Sequence, residues 1–121
     1  MLPILAALEL RKRLFLRHCA CALDTLSALL AKSGEACVDL VKIDVEGAEE
    51  DVLAGIDDGD WPRLRQFVIE VHDLDGRLDR MAAKLGTHGY SVTVVPSSWP
   101  VLQLMRLSTL YATRQLPPRQ A

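Results

Sequence analysis

The chain has 121 residues, of which half are hydrophobic, and its formal net charge is -2. This length suits one domain with its own core and is too short for two. The charge supplies no basic field for a nucleic-acid backbone, and an aromatic content of 5% leaves no stacking platform for bases, so composition argues against nucleic acid as the ligand.

The cysteines indicate a reducing compartment. Cys19, Cys21 and Cys37 have neither zinc-ligand spacing nor the pattern of a disulfide framework. The apolar opening MLPILAALEL differs from a signal peptide, because Glu9 interrupts it and its basic cluster follows the apolar stretch. No apolar run approaches the ~20 residues that cross a bilayer. We therefore expect a soluble, cytoplasmic protein without a membrane span.

The first elements in chain order are helical. Residues 1–22 form an amino-terminal segment with only a loose helical pattern. Either Asp24 or Thr25 can then cap a short helix that Gly34 ends. The face that this helix buries is predicted to consist of Leu26, Leu29 and Leu30.

A strand and an acidic helix follow. The aliphatic, β-branched stretch Val38–Asp44 is typical of a strand covered on both faces in a parallel sheet. Gly47 then opens a helix whose inward side chains are predicted to be Ala48, Val52, Leu53 and Ile56. Acidic side chains crowd its first turn, where they complement the helix dipole. Of these, we assign Glu49 and Glu50 to the solvated face.

The second half of the chain predicts three more strands and one more helix. The strands are Arg65–His72, Tyr90–Val95 and Leu107–Arg114. The helix lies between the first two of them, ends at Gly89 and carries at helical spacing Leu78, Met81, Ala82 and Leu85. Pro96–Pro100 is predicted to be a loop, and residues 115–121 a loose tail. This order predicts an α/β sheet that ends in an antiparallel pair.

Several strings in this order resemble a known family. VKIDVEGAEEDVLAGI is preceded by LDTLSALL and followed by FVIEVHD and DGRLDRMAAKLGTHGY. Together, over about Leu23 to Thr113, they resemble the carboxyl-terminal half of the FkbM-type S-adenosylmethionine-dependent methyltransferases. The resemblance implies a partial Rossmann-like methyltransferase sheet with flanking helices, in which residues 23–114 supply the equivalents of strands four to seven and the last strand is antiparallel.

The chain also departs from that family. The family's first strand carries a glycine-bearing turn that cradles the cofactor, and its second strand ends in an acidic residue that binds the ribose. No counterpart of either precedes Asp24. The resemblance therefore implies a truncated half that is inactive alone. One flank of the Val38–Asp44 strand would then be empty, and we expect self-association or pairing through that exposed edge.

Candidate site residues follow the two predicted parallel strands. Methyl transfer needs positioned reactants and a base for the acceptor hydroxyl. We predict Asp44 as a catalytic or cofactor-binding residue, with helix capping as its structural alternative. Glu46 is a cofactor-binding candidate that could instead only complement the helix dipole. His72 is the candidate general base, since imidazole titrates near neutrality, or else a structural histidine. Glu70 and Asp73 are predicted to bind the acceptor.

The implied ligands are S-adenosylmethionine and a small-molecule acceptor, or a hydroxyl of a glycan, lipid or polyketide. Asp44, His72 and Asp73 have the side-chain types that hold a divalent cation, but no close-spaced ligand motif joins them, and we expect no metal site.

Two other functions remain open at this point. The first is a non-catalytic remnant or pairing module that keeps the sheet. The second is a phosphoacceptor receiver domain, in which an Asp ends a buried strand as Asp44 does. A receiver needs an acidic pair after an earlier strand, and Glu9 is the only acidic residue before Asp24, which disfavours this alternative.

Overall fold

The computed structural model describes residues 20–115. The helices are α1 (Leu26–Ser33), α2 (Glu49–Ala54), α3 (Arg77–Thr87) and α4 (Pro100–Leu104), with a 3-10 turn at Trp61–Arg63. The strands are β1 (Val41–Ile43), β2 (Gln66–His72), β3 (Ser91–Pro96) and β4 (Leu107–Thr113). The amino-terminal helix predicted before residue 20 and the tail from residue 116 lie outside the described residues. No helix among those described is long and apolar enough to cross a membrane.

The four strands form one mixed sheet in the order β1-β2-β4-β3. β1 runs parallel to β2, whereas β4 runs antiparallel to both of its neighbours. The predicted fold class is therefore confirmed: a mixed α/β sheet with flanking helices, consistent with part of a Rossmann-like fold. A receiver domain is wrong for this chain, because that doubly wound fold has a parallel sheet.

The core lies on the helix-covered face of the sheet. Along β2 the side chains alternate, so Phe67, Ile69 and Val71 are almost completely buried while Glu70 and His72 lie half-buried on the other face. Helices α2 and α3 cover the buried set with Leu53, Met81 and Leu85. Glu70 and His72 therefore share one face of the sheet.

The second face of the sheet is much less covered. Its members include Val95 and Tyr111, whose exposed fractions are 47% and 43%. Across β3 and β4, Val95 pairs with Thr109 and Thr93 pairs with Tyr111, so these side chains lie on the same face. Lys42 in β1 is also exposed. The prediction that the Val38–Asp44 strand is covered on both faces is therefore wrong at this position.

The helix α1 begins and ends as predicted. Thr25, rather than Asp24, is its cap: Thr25 Oγ1 accepts a hydrogen bond of 3.1 Å from the Ala28 N–H. Gly34 ends the helix with φ +70°, a left-handed conformation that glycine adopts without strain. The predicted apolar face is wrong in one member, since Leu29 is 51% exposed and only Leu30 is fully buried.

Three boundaries differ from the sequence prediction. The strand predicted at Val38–Asp44 is interrupted: Val38 forms an isolated bridge with Leu64, and regular pairing begins only at Val41. Helix α2 begins at Glu49 rather than Gly47, because Gly47 has φ +114°, outside the helical region. The predicted loop Pro96–Pro100 ends in a helix, because Pro100 occupies the first position of α4, where its missing N–H costs nothing.

An aromatic cluster closes the core beneath the 3-10 turn. The hydroxyl oxygen of Tyr90 lies 3.0 Å from the carbonyl oxygen of Trp61 and 2.7 Å from that of Leu64. The Tyr90 ring packs edge-on against Phe67, at 5.3 Å between ring centroids. Burial raises the pKa of the Tyr90 hydroxyl above its ordinary value.

We predict that Tyr90→Phe lowers the free energy of unfolding by about 1 kcal/mol, because two buried carbonyl groups lose their donor. Urea denaturation measures this loss. Since folding raises the pKa of Tyr90, its stabilising contribution is present below pH ~10 and is lost as the pH rises further. The gap between wild type and variant should therefore shrink above pH ~10. Tyr111→Phe, at an exposed position, is the control and should leave stability unchanged.

The outer edge of β1 has no partner strand among residues 20–115. Two apolar side chains flank this edge: Leu40 is 53% exposed and Val45 is 43% exposed. Unpaired backbone groups beside apolar side chains favour pairing with another chain.

We predict that the full chain elutes from size-exclusion chromatography as a species larger than the monomer. Leu40→Lys should shift the elution towards the monomer, because a lysine at a sheet edge opposes pairing. Leu23→Lys is the matched control, since Leu23 is 91% exposed and lies away from β1. A monomeric wild-type chain with one cooperative melting transition would contradict the prediction.

Candidate functional site

The carboxyl ends of β1 and β2 meet at one edge of the sheet. Their parallel register places Ile43 beside Ile69, so Asp44 and Glu70 are the next residues along the two strands. His72 ends β2. In open α/β sheets, ligands bind beyond these carboxyl ends.

A cleft of about 520 Å³ opens at this edge. Its lining residues come from the turn after β1, the end of β2, the start of α3 and the segment before β4: Glu46, Gly47, His72, Leu74, Arg77 and Met105. This volume is in the range of small-molecule sites, roughly 300–1,000 Å³. The structure thus brings together two of the predicted site residues, Glu46 and His72.

The other three predicted residues lie beside the cleft rather than in its lining. Asp44 is exposed immediately after β1. The alternative that Asp44 caps the next helix is wrong, because the residue that precedes α2 is Ala48 and no side-chain cap hydrogen bond is formed there. Glu70 is half-buried on the less covered face of the sheet, paired in register with Thr109.

Asp73 has a structural contact at the start of α3. Its Oδ1 accepts a hydrogen bond of 3.1 Å from the Leu78 N–H. A helix leaves its first N–H groups without internal partners, and this carboxylate satisfies one of them. Asp73 therefore helps to fix where α3 begins, next to the cleft.

The turn after β1 has an unusual backbone. Glu46 has φ +47° and Gly47 has φ +114°, and only glycine adopts the second value without steric strain. The Gly47 N–H donates a hydrogen bond of 3.0 Å to Glu49 Oε1. This bond holds the turn in place and orients the backbone that carries Glu46.

Glu49 is completely buried, so the prediction that it lies on the solvated face is wrong. Its Oε2 lies 3.2 Å from Arg77 Nη1, and the Arg77 side chain is 18% exposed. The first turn of α2 faces the first turn of α3, where this guanidinium neutralises the carboxylate. A buried carboxylate without such a partner would be strongly destabilising.

Glu50 extends the same network towards solvent. Its Oε1 lies 3.4 Å from Arg77 Nε and 2.7 Å from Arg80 Nη2. The hydrogen bond from Arg80 lowers the pKa of Glu50 below its ordinary value. Because the Glu50 side chain is 38% exposed, solvent screens this pair and it adds little to stability.

Besides Gly47, sequence reasoning missed three residues whose side chains line the cleft: Leu74, Arg77 and Met105. Two of them carried a usable signal. Arg77 stands at the first position of a helix, where the dipole disfavours a cation, which indicates an acidic partner nearby. Leu74 is an exposed apolar residue in a polar turn. Met105 carried no signal, because its position depends on the helix α4.

No group of three His, Cys, Asp or Glu side chains that could hold a metal ion occurs within residues 20–115. Asp44, His72 and Asp73 do not form such a group. The described residues also lack a strand that is followed by closely spaced glycines. At Gly47, an added Cβ would meet only Arg77 Nη1, at an ordinary 3.9 Å, so close approach of a ligand is not what requires this glycine. The described residues therefore do not by themselves form a pocket for the nucleoside of a methyl donor.

Comparison with known proteins identifies the family. The model of the methyltransferase FkbM domain matches residues 20–92, and the chain therefore belongs to this family of methyltransferases.

Three relatives illustrate the match. The chain is 54% identical over 67 residues to the 31-O-demethyl-FK506 methyltransferase FkbM of Streptomyces tacrolimicus. This matched stretch covers 55% of this chain and 26% of that protein. It is 40% identical over 62 residues to methyltransferase 1 of Beauveria bassiana, covering 51% and 25%. It is 40% identical over 79 residues to the AMB antimetabolite synthetase AmbE of Pseudomonas aeruginosa, covering 61% and 4%. The chain thus spans about a quarter or less of these relatives. No solved structure matches.

We predict that Glu49→Gln lowers the free energy of unfolding by about 3 kcal/mol, because the mostly buried Arg77 guanidinium loses its buried anion and keeps only the more exposed Glu50. Urea denaturation measures the loss. The double variant Glu49→Gln/Arg77→Met should regain part of it, since no unpaired charge remains. Glu50→Gln is the control, with an expected cost of about 1 kcal/mol or less. Equal costs for the Gln variants at positions 49 and 50 would contradict the burial of this ion pair.

Proposed function

We propose that the chain forms the acceptor side of an S-adenosylmethionine-dependent O-methyltransferase. The observation that carries the proposal is the cleft at the carboxyl ends of β1 and β2, which the Glu46 carboxylate and the His72 imidazole both line. Membership of the methyltransferase FkbM domain family supports the reaction class. The acceptor would be a hydroxyl of a small molecule, glycan, lipid or polyketide, and the cytoplasm is the proposed compartment.

His72 is the proposed general base. Its imidazole would take the proton of the acceptor hydroxyl as the oxygen becomes a nucleophile, which is the role of a general base. Glu46 would orient the donor or accept a hydrogen bond at the rim of the cleft. Asp44 is proposed on the donor side, and Glu70 and the free oxygen of Asp73 on the acceptor side.

The donor pocket, in this proposal, is completed by a further segment that is not part of these 121 residues. The described residues supply carboxylates at the strand ends but no glycine cradle, and β1 has a free edge where a further strand of a methyltransferase sheet could pair. The partial coverage of the relatives agrees with this division. We therefore expect the full chain alone to show no binding heat with S-adenosylmethionine in calorimetry, and a measured heat would contradict the proposal.

A chimera tests the reaction. The region of the Streptomyces tacrolimicus relative that matches this chain is replaced by the corresponding residues of this chain, and methylation of 31-O-demethyl-FK506 is measured with labelled S-adenosylmethionine. We predict transfer by the chimera and a loss in kcat of about 10² to 10⁴ for His72→Gln, the range for removal of a general base. His88→Gln is the matched control, because the half-buried His88 does not line the cleft and stacks on Trp61, at 4.0 Å between ring centroids. Equal effects of the two variants would contradict the role of His72.

A non-catalytic pairing module is the second candidate. The outer edge of β1, which has no partner strand within residues 20–115 and has Leu40 and Val45 exposed beside it, favours this alternative. A chimera that folds and binds S-adenosylmethionine but transfers no methyl group would support the module over the enzyme.

A further inference from the structure

A second cavity lies between the helices α2 and α3 and has a volume of about 280 Å³. None of its lining residues lines the cleft at the carboxyl ends of β1 and β2. Its apolar floor consists of Leu53 and Met81, each 1% exposed. Because one water molecule takes about 30 Å³, a cavity of this size can hold one small organic molecule.

The cavity opens where a row of ion pairs between the two helices stops. Glu50 Oε1 lies 2.7 Å from Arg80 Nη2, and this pair forms one end of the cavity. The next residue on the same face of a helix lies four positions further on. From Glu50 this is Ala54, and from Arg80 it is Lys84, and both line the cavity. Alanine has no carboxylate to offer Lys84, so the space between the helices stays open there.

Two charged groups at the cavity are available to a ligand. Within residues 20–115, the side chains of Asp51 and Lys84 form no ion pair. The other charged lining residues, Glu50 and Arg80, already pair with each other. One carboxylate, which accepts hydrogen bonds, and one ammonium group, which donates them, therefore line the same small space.

We propose that this cavity binds a free α-amino acid with an aliphatic side chain. The ligand's carboxylate pairs with Lys84 and its ammonium group pairs with Asp51, while its side chain packs over Ala54 and the apolar floor. A ligand with a single charge would leave one of the two protein charges unpaired, whereas a zwitterion complements both. A combination of an apolar surface with a few orienting polar groups is common in small-molecule sites. This inference is independent of the proposed methyl transfer.

The test titrates the full chain with three matched probes, followed by NMR of the probe. L-leucine carries both charges, isopentylamine is leucine without its carboxylate, and 4-methylpentanoate is leucine without its ammonium group. We expect saturable binding of L-leucine and at least threefold weaker binding of each of the other two, because each lacks one ion pair. Glycine, which has no aliphatic side chain, should also bind more weakly than L-leucine.

Charge variants assign each end of the ligand. Lys84→Gln should weaken L-leucine at least threefold without weakening isopentylamine, which has no carboxylate to lose a partner. Asp51→Asn should weaken L-leucine by a similar factor without weakening 4-methylpentanoate. The matched controls are Lys42→Gln and Asp79→Asn, since both residues are exposed and neither lines the cavity. Both controls should leave the binding of L-leucine unchanged.

A filling variant tests the cavity itself. Ala54 is exposed in α2, and Ala54→Leu should weaken L-leucine binding because the larger side chain occupies the space of the ligand. His72→Gln, in the other cleft, should leave this binding unchanged.

Four outcomes would overturn the inference. They are no saturable binding of L-leucine, binding of isopentylamine or 4-methylpentanoate as tight as that of L-leucine, equal losses in the charge variants and their controls, or weaker binding in His72→Gln. The last of these would place the ligand in the cleft at the strand ends. Transfer by the chimera, or its absence, leaves this test unaffected.

Discussion

The buried carboxylate of Glu49 is the constraint on which the candidate site depends. A charge that is fully removed from water must be neutralised, and Arg77 does this from the first turn of a different helix. The second oxygen of the same carboxylate accepts the N–H of Gly47. One side chain thus joins the turn after β1 to the start of α3, and the cleft lies between them.

The strands of the sheet are buried to different extents, and the difference follows from the order of the strands. β2 is central and buries every second side chain beneath α2 and α3. The strand β1 at one edge is only three residues long and is unpaired on its outer side among the described residues. The most completely buried side chains therefore surround β2. The surfaces available to a partner or to an additional strand lie at β1 and on the face of Val95 and Tyr111.

Much of this architecture could be predicted from local pattern. Alternation along β2 placed Glu70 and His72 on one face, and the Thr25 cap and Gly34 stop framed α1, because these signals depend on residues a few positions apart. The strand at Val38–Asp44 was predicted too long. Apolar composition does not reveal that Val38 forms only an isolated bridge and that regular pairing begins at Val41. The candidate site was predicted in part: Glu46 and His72 line the cleft, whereas Asp44, Glu70 and Asp73 do not.

By itself the sequence determined the order of the four strands and of the helices α1 to α3, the alternating faces of β2 and the family resemblance, since neighbouring residues carry that information. Only the tertiary structure decided that Glu49 is buried and Glu50 is not, although both are acidic residues in the same helical turn. The partner that neutralises the buried Glu49 is Arg77, which lies 28 residues away along the chain and 3.2 Å away in space. Leu74 and Met105 likewise line the same cleft only when β4 pairs with β2, because that pairing brings together two segments with no shared local signal.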